Sequence, residues 1–457
     1  MSQLSIIILA AGNGTRMKSA TPKVLMTLAG KPLLQHVIDQ AIALGPKDLI
    51  VVHQESHLNA LKNSIQSTKT IQWARQNEQN GTADAVLSGL PFVSGDRVLI
   101  LYGDVPLTPA QLLTQMVKDC QTCILLTHQH QNPFGFGRII RNDTGQVIRI
   151  VEEKDATEQQ KSIQEIFTGI MCIQTTILQT LLPKIQSNNA QNEWYLTDLA
   201  ELCGTTQALV CDQVMWISGV NTRNQLIDLE RQYQRSLAEH YLSQGIHILD
   251  PNRIDIHGTL NCQPDTVIEP NVIIKGQVTI GQHCTIETGV VLEDVSLGNH
   301  VHIKAHSIIT KTTIKDHATV GPFAHCRPNT SIGEHAKIGN FVEVKNTRLG
   351  NHAKASHLSY LGDATIGNSV NIGAGTITCN YDGVQKHQTT IHDHAFIGSQ
   401  TSLIAPVNIG AHATIGAGSV IVSDAPSNTL TLSRAQQKTV KSWVRKNKQP
   451  YEESNQY

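Results

Sequence analysis

The chain has 457 residues, which at roughly 100–200 residues per domain suggests two to four domains. Lys+Arg is 36 and Asp+Glu is 37, so the net charge of −1 gives no global attraction to nucleic acid or an anionic membrane. Charged residues are 16% and aromatics 4%, while hydrophobics at 40% exclude wholesale disorder. Such a chain must be stabilised by many small aliphatic contacts, as a repeat architecture is.

The apolar start, Leu4 to Ala11, is too short to span a bilayer and runs into a glycine loop. No basic segment precedes it, so it does not read as a signal peptide. Nine scattered cysteines read as reduced cytosolic thiols, and the single C-x-x-C at Cys120 and Cys123 has no second pair to make a zinc site. A cytoplasmic protein is expected.

Ser5–Leu9, Leu49–Val52, Val98–Tyr102 and Cys123–Thr127 read as buried strands. Helical patterns lie between them, at Leu33–Leu44 and Thr82–Leu90. This alternation predicts an α/β domain, Rossmann-like, with a mostly parallel sheet over residues 1–223. Ligands in such sheets sit beyond the carboxyl ends of the strands, where Ala10–Lys18 and Gly103–Pro106 fall. Asn224 to Leu242 lacks Gly and Pro and predicts a helical linker over 224–244.

From 245 to 434 an aliphatic residue returns every six positions. Ile268, Ile274, Ile280, Ile286 and Leu292 keep register, as do Val320, Cys326, Ile332, Ile338 and Val344. So do Ile391, Ile397, Leu403, Ile409, Ile415 and Ile421. Five-residue steps occur at Leu292–Leu297, Ile309–Ile314, Val344–Leu349 and Leu361–Ile366. Hexapeptide repeats predict a parallel β-helix, about three repeats to each triangular coil. The ladder breaks after Ile372 and resumes at Ile391, which predicts an excursion between them. Most of the histidines, such as His283, His300, His317, His335 and His412, read as plain surface residues at outward corners. A basic tail, 435–457, follows.

Leu9–Met17 reads LAAGNGTRM, with Pro22-Lys23 beyond. Gly12 and Gly14 let backbone N–H groups approach an anion, and Arg16 and Lys23 add phosphate-binding charge. It is neither Walker A nor G-x-G-x-x-G. This strand, loop, Arg and Pro-Lys combination resembles the signature of the sugar-nucleotide pyrophosphorylases. With the hexapeptide half attached, the chain resembles their bifunctional bacterial uridylyltransferase/acetyltransferase branch from about Ser5 to Arg434.

The resemblance implies two reactions of UDP-N-acetylglucosamine synthesis, feeding peptidoglycan and lipopolysaccharide. Glucosamine 1-phosphate is acetylated from acetyl-CoA, and UMP then passes from UTP to the N-acetylated sugar phosphate. It implies Arg16 and Lys23 on the triphosphate, and a Mg²⁺ ion held by Asp104 and Asn221. It implies contacts to UTP or UDP-N-acetylglucosamine from Leu9, Ala10, Ala11, Gly12, Lys23, Gln76, Gly81, Thr82, Tyr102, Gly103, Asp104, Gly137, Glu152 and Asn221. Phe167 stands where the family usually has Asn, and a phenyl ring cannot hydrogen-bond a sugar hydroxyl.

For the second reaction it implies His357 as general base, Arg327 and Lys345 on the sugar phosphate, and Tyr360 and Asn371 orienting the sugar. Ala374, Asn380, Tyr381, Ser399, Ala417 and Arg434 would line the acetyl-CoA groove. It also implies left-handed coils and a homotrimer. Two other readings stay open: a single-activity nucleotidyltransferase with a passive β-helix, and a non-enzymatic sugar-nucleotide scaffold.

Overall fold

In the computed structural model, which describes residues 3–445, the predicted strands form within a residue or two of their expected limits: Leu4–Leu9, Asp48–His53, Arg97–Tyr102 and Cys123–Gln129. They belong to a nine-stranded sheet. Its order is Ile71–Arg75, Asp48–His53, Leu4–Leu9, Arg97–Tyr102, Glu165–Gln174, Cys123–Gln129, Thr206–Val210, Val147–Val151, Arg138–Arg141. The first four are parallel, and Glu165–Gln174 runs against both its neighbours.

Successive residues of each inner strand feed opposite cores. Ile6, Ile8, Leu49, Val51, Leu99 and Leu101 pack on one face, and Ile7, Ile50, Val52, Val98 and Ile100 on the other. Both faces are covered, which is why these strands read as unbroken apolar runs rather than alternating ones.

The helix expected over 224–244 runs Arg223–Ser243, opened by a capping box in which Thr222 and Gln225 satisfy each other's backbone N–H. Leu229 packs with Met17, Leu28, Leu33 and Val220. The buried Gln234 amide donates to Ile256 O at 2.9 Å and accepts from Ile256 N at 2.8 Å.

The chain divides into two compact units. Among the described residues, one holds those up to Asn261 together with Glu269–Val278; the other holds Cys262–Ile268 and those from Thr279 onward. The second is the expected parallel β-helix. On one face Ile286, Ile303, Val320, Ile338, Ala355, Ile372, Ile397 and Ile415 pair in register from coil to coil. Three hexapeptides would give an 18-residue coil, as from Val320 to Ile338. Each five-residue step shortens its coil by one, so Asn351 caps against Asn368, 17 residues on.

The excursion is narrower than the sequence implied. Ile377–Cys379 still pairs with Ser402–Ile404, and buried Thr378 holds the ladder position, its hydroxyl donating to Gly362 O at 3.0 Å. The loop proper lies after Cys379, and its coil is 25 residues long between Asn368 and Asp393.

The corner histidines are more than solvated surface. His283, His300, His317, His335 and His352 adopt positive φ of 54–59° and stack ring on ring with centroids 4.6–5.0 Å apart. Left-handed backbone makes each corner, and the coil rise brings successive rings into contact. Small residues fit where coils approach: a Cβ on Gly350 would lie 2.5 Å from the Gly367 carbonyl carbon. Residues beyond 445, including much of the basic tail, lie outside the described residues.

Ile338 is fully buried in mid-ladder. Ile338→Ala should destabilise the protein by about 2–5 kcal/mol, since neighbouring coils cannot collapse onto the gap. Chemical denaturation followed by circular dichroism would read this loss.

Candidate active sites

At the carboxyl edge of the nine-stranded sheet lies a cavity of about 560 Å³. Leu9, Ala10, Ala11 and Gly12 follow the first strand into it, and Tyr102 and Asp104 follow the fourth. Lys23, Gln76, Gly81, Thr82, Gly137, Glu152 and Asn221 complete the expected set on its wall. Gly103 is adjacent, its N–H donating to Leu9 O at 2.9 Å. Arg16 is outside the lining but reaches Asn221 Oδ1 at 2.9 Å.

The charges converge at one point. Lys23 Nζ lies 2.5 Å from Asp104 Oδ2 and 2.9 Å from Asn221 Oδ1. Two hard oxygens from distant parts of the chain thus meet on a single cationic nitrogen. That donor set fits a divalent cation, whose other ligands would be water and phosphate oxygens.

Glu152 belongs to a separate group on the wall, largely buried, with Thr197 Oγ1 donating to it at 3.1 Å. Burial pushes its carboxyl above the usual range, assisted by Asp155, Asp198 and Glu193. Phe167 also lines the cavity and is almost wholly buried, its N–H donating to Gly137 O at 2.9 Å. The ring therefore serves both core and wall. Just beyond it the strand bulges, and Gly169, at φ 93°, lies over the Tyr102 ring. Sequence reasoning missed Gln79, Tyr195 and Thr197 on this wall. Gln79 Nε2 donates to Ala11 O at 2.9 Å. None of the three sits in a recognisable motif.

In the β-helix, coil stacking assembles a second constellation. Asn340 pairs in register with His357, and Asn340 Oδ1 lies 2.6 Å from His357 Nδ1. With Asn340 accepting, the proton is fixed on Nδ1 and the Nε2 lone pair is left free. One coil further is Ala374, then Ser399, then Ala417. Backbone bonds join this row: Gly375 N to Leu358 O, Gln400 N to Ala374 O, and Gly418 N to Ser399 O. Arg434 ends the row, its Nη1 donating to Ala417 O at 3.1 Å.

A cationic cluster occupies the adjoining face. Arg327 N donates to Val344 O, bringing Arg327 beside Lys345. Lys386, from the loop after Cys379, contacts Lys345 and pushes its ammonium pKa down, with Arg327 adding to the effect. Glu343 Oε1 offsets part of this charge, 2.8 Å from Arg327 Nη1. Tyr360 pairs in register with Glu343. Asn371 belongs to a different strand, paired with Lys354 and Phe396 rather than with His357. Asn380 is buried, its Nδ2 2.5 Å from Asp363 Oδ2, while Tyr381 is exposed and donates to Gly383 O. Asn340 and Lys386 carried no motif that sequence reasoning could have used.

Two family models match separate parts of the chain. A MobA-like NTP transferase domain matches residues 6–164, and bacterial transferase hexapeptide repeats match 311–346 and 388–423. A bifunctional protein GlmU of Francisella philomiragia is 47% identical, covering 97% of this chain and 99% of the relative. One of Marinobacter nauticus is 44% identical, covering 98% and 100%. One of Nitrosospira multiformis is 46% identical, covering 98% and 99%. The chain belongs to the bifunctional GlmU family. It is therefore a transferase with two activities, and the passive-module and scaffold readings fall away. Among the described residues no helix is long and apolar enough to cross a membrane.

One carboxyl beside the cavity of the nine-stranded sheet gives a pH test. Burial, then the charges of Glu201 and Asp155, push Asp198 up to about 6. An unfolded aspartate releases its proton near pH 4, about two pH units lower. Between those values the folded state binds more protons, so this group's stability contribution is full below about pH 4 and lost as pH rises through about 6. Solvent screening at this half-buried side chain trims the full linkage value. Asp198→Asn should therefore raise stability by about 1–2 kcal/mol above pH 6 and leave it nearly unchanged near pH 4. Melting temperatures across that range would check the sign.

Proposed function

We propose that the cavity of the α/β unit is the uridylyl-transfer site and that the His357 row is the acetyl-transfer site. The enzyme makes UDP-N-acetylglucosamine: it acetylates glucosamine 1-phosphate, then joins the product to UMP from UTP. In this reading residues 1–223 carry the second step, 224–244 link, and 245–434 carry the first.

For uridylyl transfer, a sugar-phosphate oxygen attacks the α-phosphorus of UTP and pyrophosphate leaves. Both reactants are anions, so neutralising charge and aligning them are the main tasks. Lys23 and Arg16 supply positive charge, and the backbone at Ala11 and Gly12 offers N–H groups. Gln76, Gly81 and Thr82 hold the base; Gly137 and Glu152 hold the sugar. Mg²⁺ on Asp104 and Asn221 would supply further charge neutralisation at the phosphates. The convergence of those two oxygens on Lys23 Nζ supports this assignment.

For acetyl transfer, His357 Nε2 takes a proton from the glucosamine ammonium. The freed amine attacks the thioester carbonyl, and coenzyme A leaves as its thiol. Asn340 holds the imidazole tautomer. Arg327, Lys345 and Lys386 would receive the sugar phosphate, with Tyr360 and Asn371 orienting the ring. Ala374, Ser399, Ala417 and Arg434 would follow the cofactor along the prism, with Asn380 and Tyr381 at its side.

A homotrimer is the proposed assembly, supported by the flat sheet faces of the prism. A cytoplasmic location is supported by nine free cysteines.

The single observation that carries the reading is the coil-by-coil row from Asn340 to Arg434. His357→Ala should abolish acetyl transfer, a loss of at least about 10²-fold, and leave uridylyl transfer nearly intact. Asp104→Ala should do the reverse, and a chelator should copy it. Separate assays of each step on the same preparation decide this; loss of both activities in either folded variant would defeat the two-site assignment.

A further inference from the structure

Gln76 is buried to 7% exposure on the wall of the nucleotide cavity. Its backbone is tied down, N–H donating to His53 O at 2.9 Å. Its amide is tied down as well. Nε2 donates to Asp84 Oδ2 at 2.8 Å and toward Gly81 O at 3.3 Å. Asp84 comes from the first turn of the helix Thr82–Gly89.

A side-chain amide can face two ways, but its neighbours decide here. A carboxylate and a carbonyl only accept hydrogen bonds. Turning the amide over would place Oε1 against both oxygens, and a buried polar clash of that kind is costly. The NH₂ group is therefore committed to Asp84 and Gly81, and Oε1 is the atom presented to a ligand.

An acceptor at that point distinguishes pyrimidines. Uracil carries N3–H, a donor, whereas cytosine N3 is a lone pair. We propose that Asp84 is a positioning residue that sets base selectivity, by locking the Gln76 amide with its oxygen toward the N3–H of UTP. This rests on the reading that Gln76 faces the base. Asp84 touches neither base nor phosphate in this scheme; it acts through Gln76. Without the Asp84 carboxylate only the longer bond to Gly81 O opposes a turn of the amide, and the turned NH₂ suits the lone pair of cytosine.

The test compares UTP with CTP in uridylyl transfer. The ratio of their kcat/KM values is measured on one preparation of each variant, so any loss of folded enzyme cancels. Asp84→Asn and Asp84→Ala should each lower the UTP:CTP ratio by about tenfold. The loss should fall mainly on KM for UTP, and CTP should inhibit UTP turnover more tightly than it does in the wild type. Acetyl transfer should be unchanged.

Gln76→Ala separates the base contact from the positioning role. If it lowers the ratio while both Asp84 variants keep the wild-type value, the positioning role is overturned and the base contact stands. If Gln76→Ala itself keeps the wild-type ratio, the base contact is wrong and the inference falls with it.

Discussion

Parallel strand pairing is the constraint on which both halves of this enzyme depend. A parallel ladder keeps residues in step, so equivalent positions recur on one edge or in one column. In the α/β unit this delivers the ends of Leu4–Leu9 and Arg97–Tyr102 to the same edge, where the glycine loop and Asp104 meet. In the β-helix it stacks positions one coil apart, so His357 sits on Asn340. One arrangement makes a cleft and the other a column, and each site takes the shape its ladder allows.

The two sites handle charge differently. The nucleotide cavity keeps its cations and hard oxygens in one cluster and a buried carboxyl in another. Lys23 is held by two oxygens, while Glu152 is held by a hydroxyl in an acidic surround. Anionic phosphates and a neutral sugar hydroxyl would be sorted by that contrast. On the prism, three cations crowd together with one glutamate among them. Like charges held this close raise the free energy of the site without an anion and favour binding one.

Rigid backbone supports the nucleotide site. Gly81, at φ 118°, lies so close to Trp194 that a Cβ would fall 2.5 Å from its carbonyl oxygen. The same glycine carbonyl receives the Gln76 amide. The proposed base contact thus rests on a turn that only glycine fits, a helix start and a strand end, with Asp84 bonded to the Gln76 amide.

The sequence alone determined the class of each half, because unbroken apolar runs require burial on two faces and period six requires a short-cornered coil. Its five-residue steps marked the coils that are one residue short, but not where the loop of the 25-residue coil begins. Most of the nucleotide wall was legible through short motifs at strand ends. Gln79, Tyr195, Thr197, Asn340, Lys386 and the Asp84–Gln76 bond were not, because each depends on which distant segments come together. The stacked corner histidines, too, follow from the rise between coils rather than from any local pattern. Only the tertiary structure could decide these, for side-chain contacts are set by packing in three dimensions, and residues far apart in sequence leave no spacing to read.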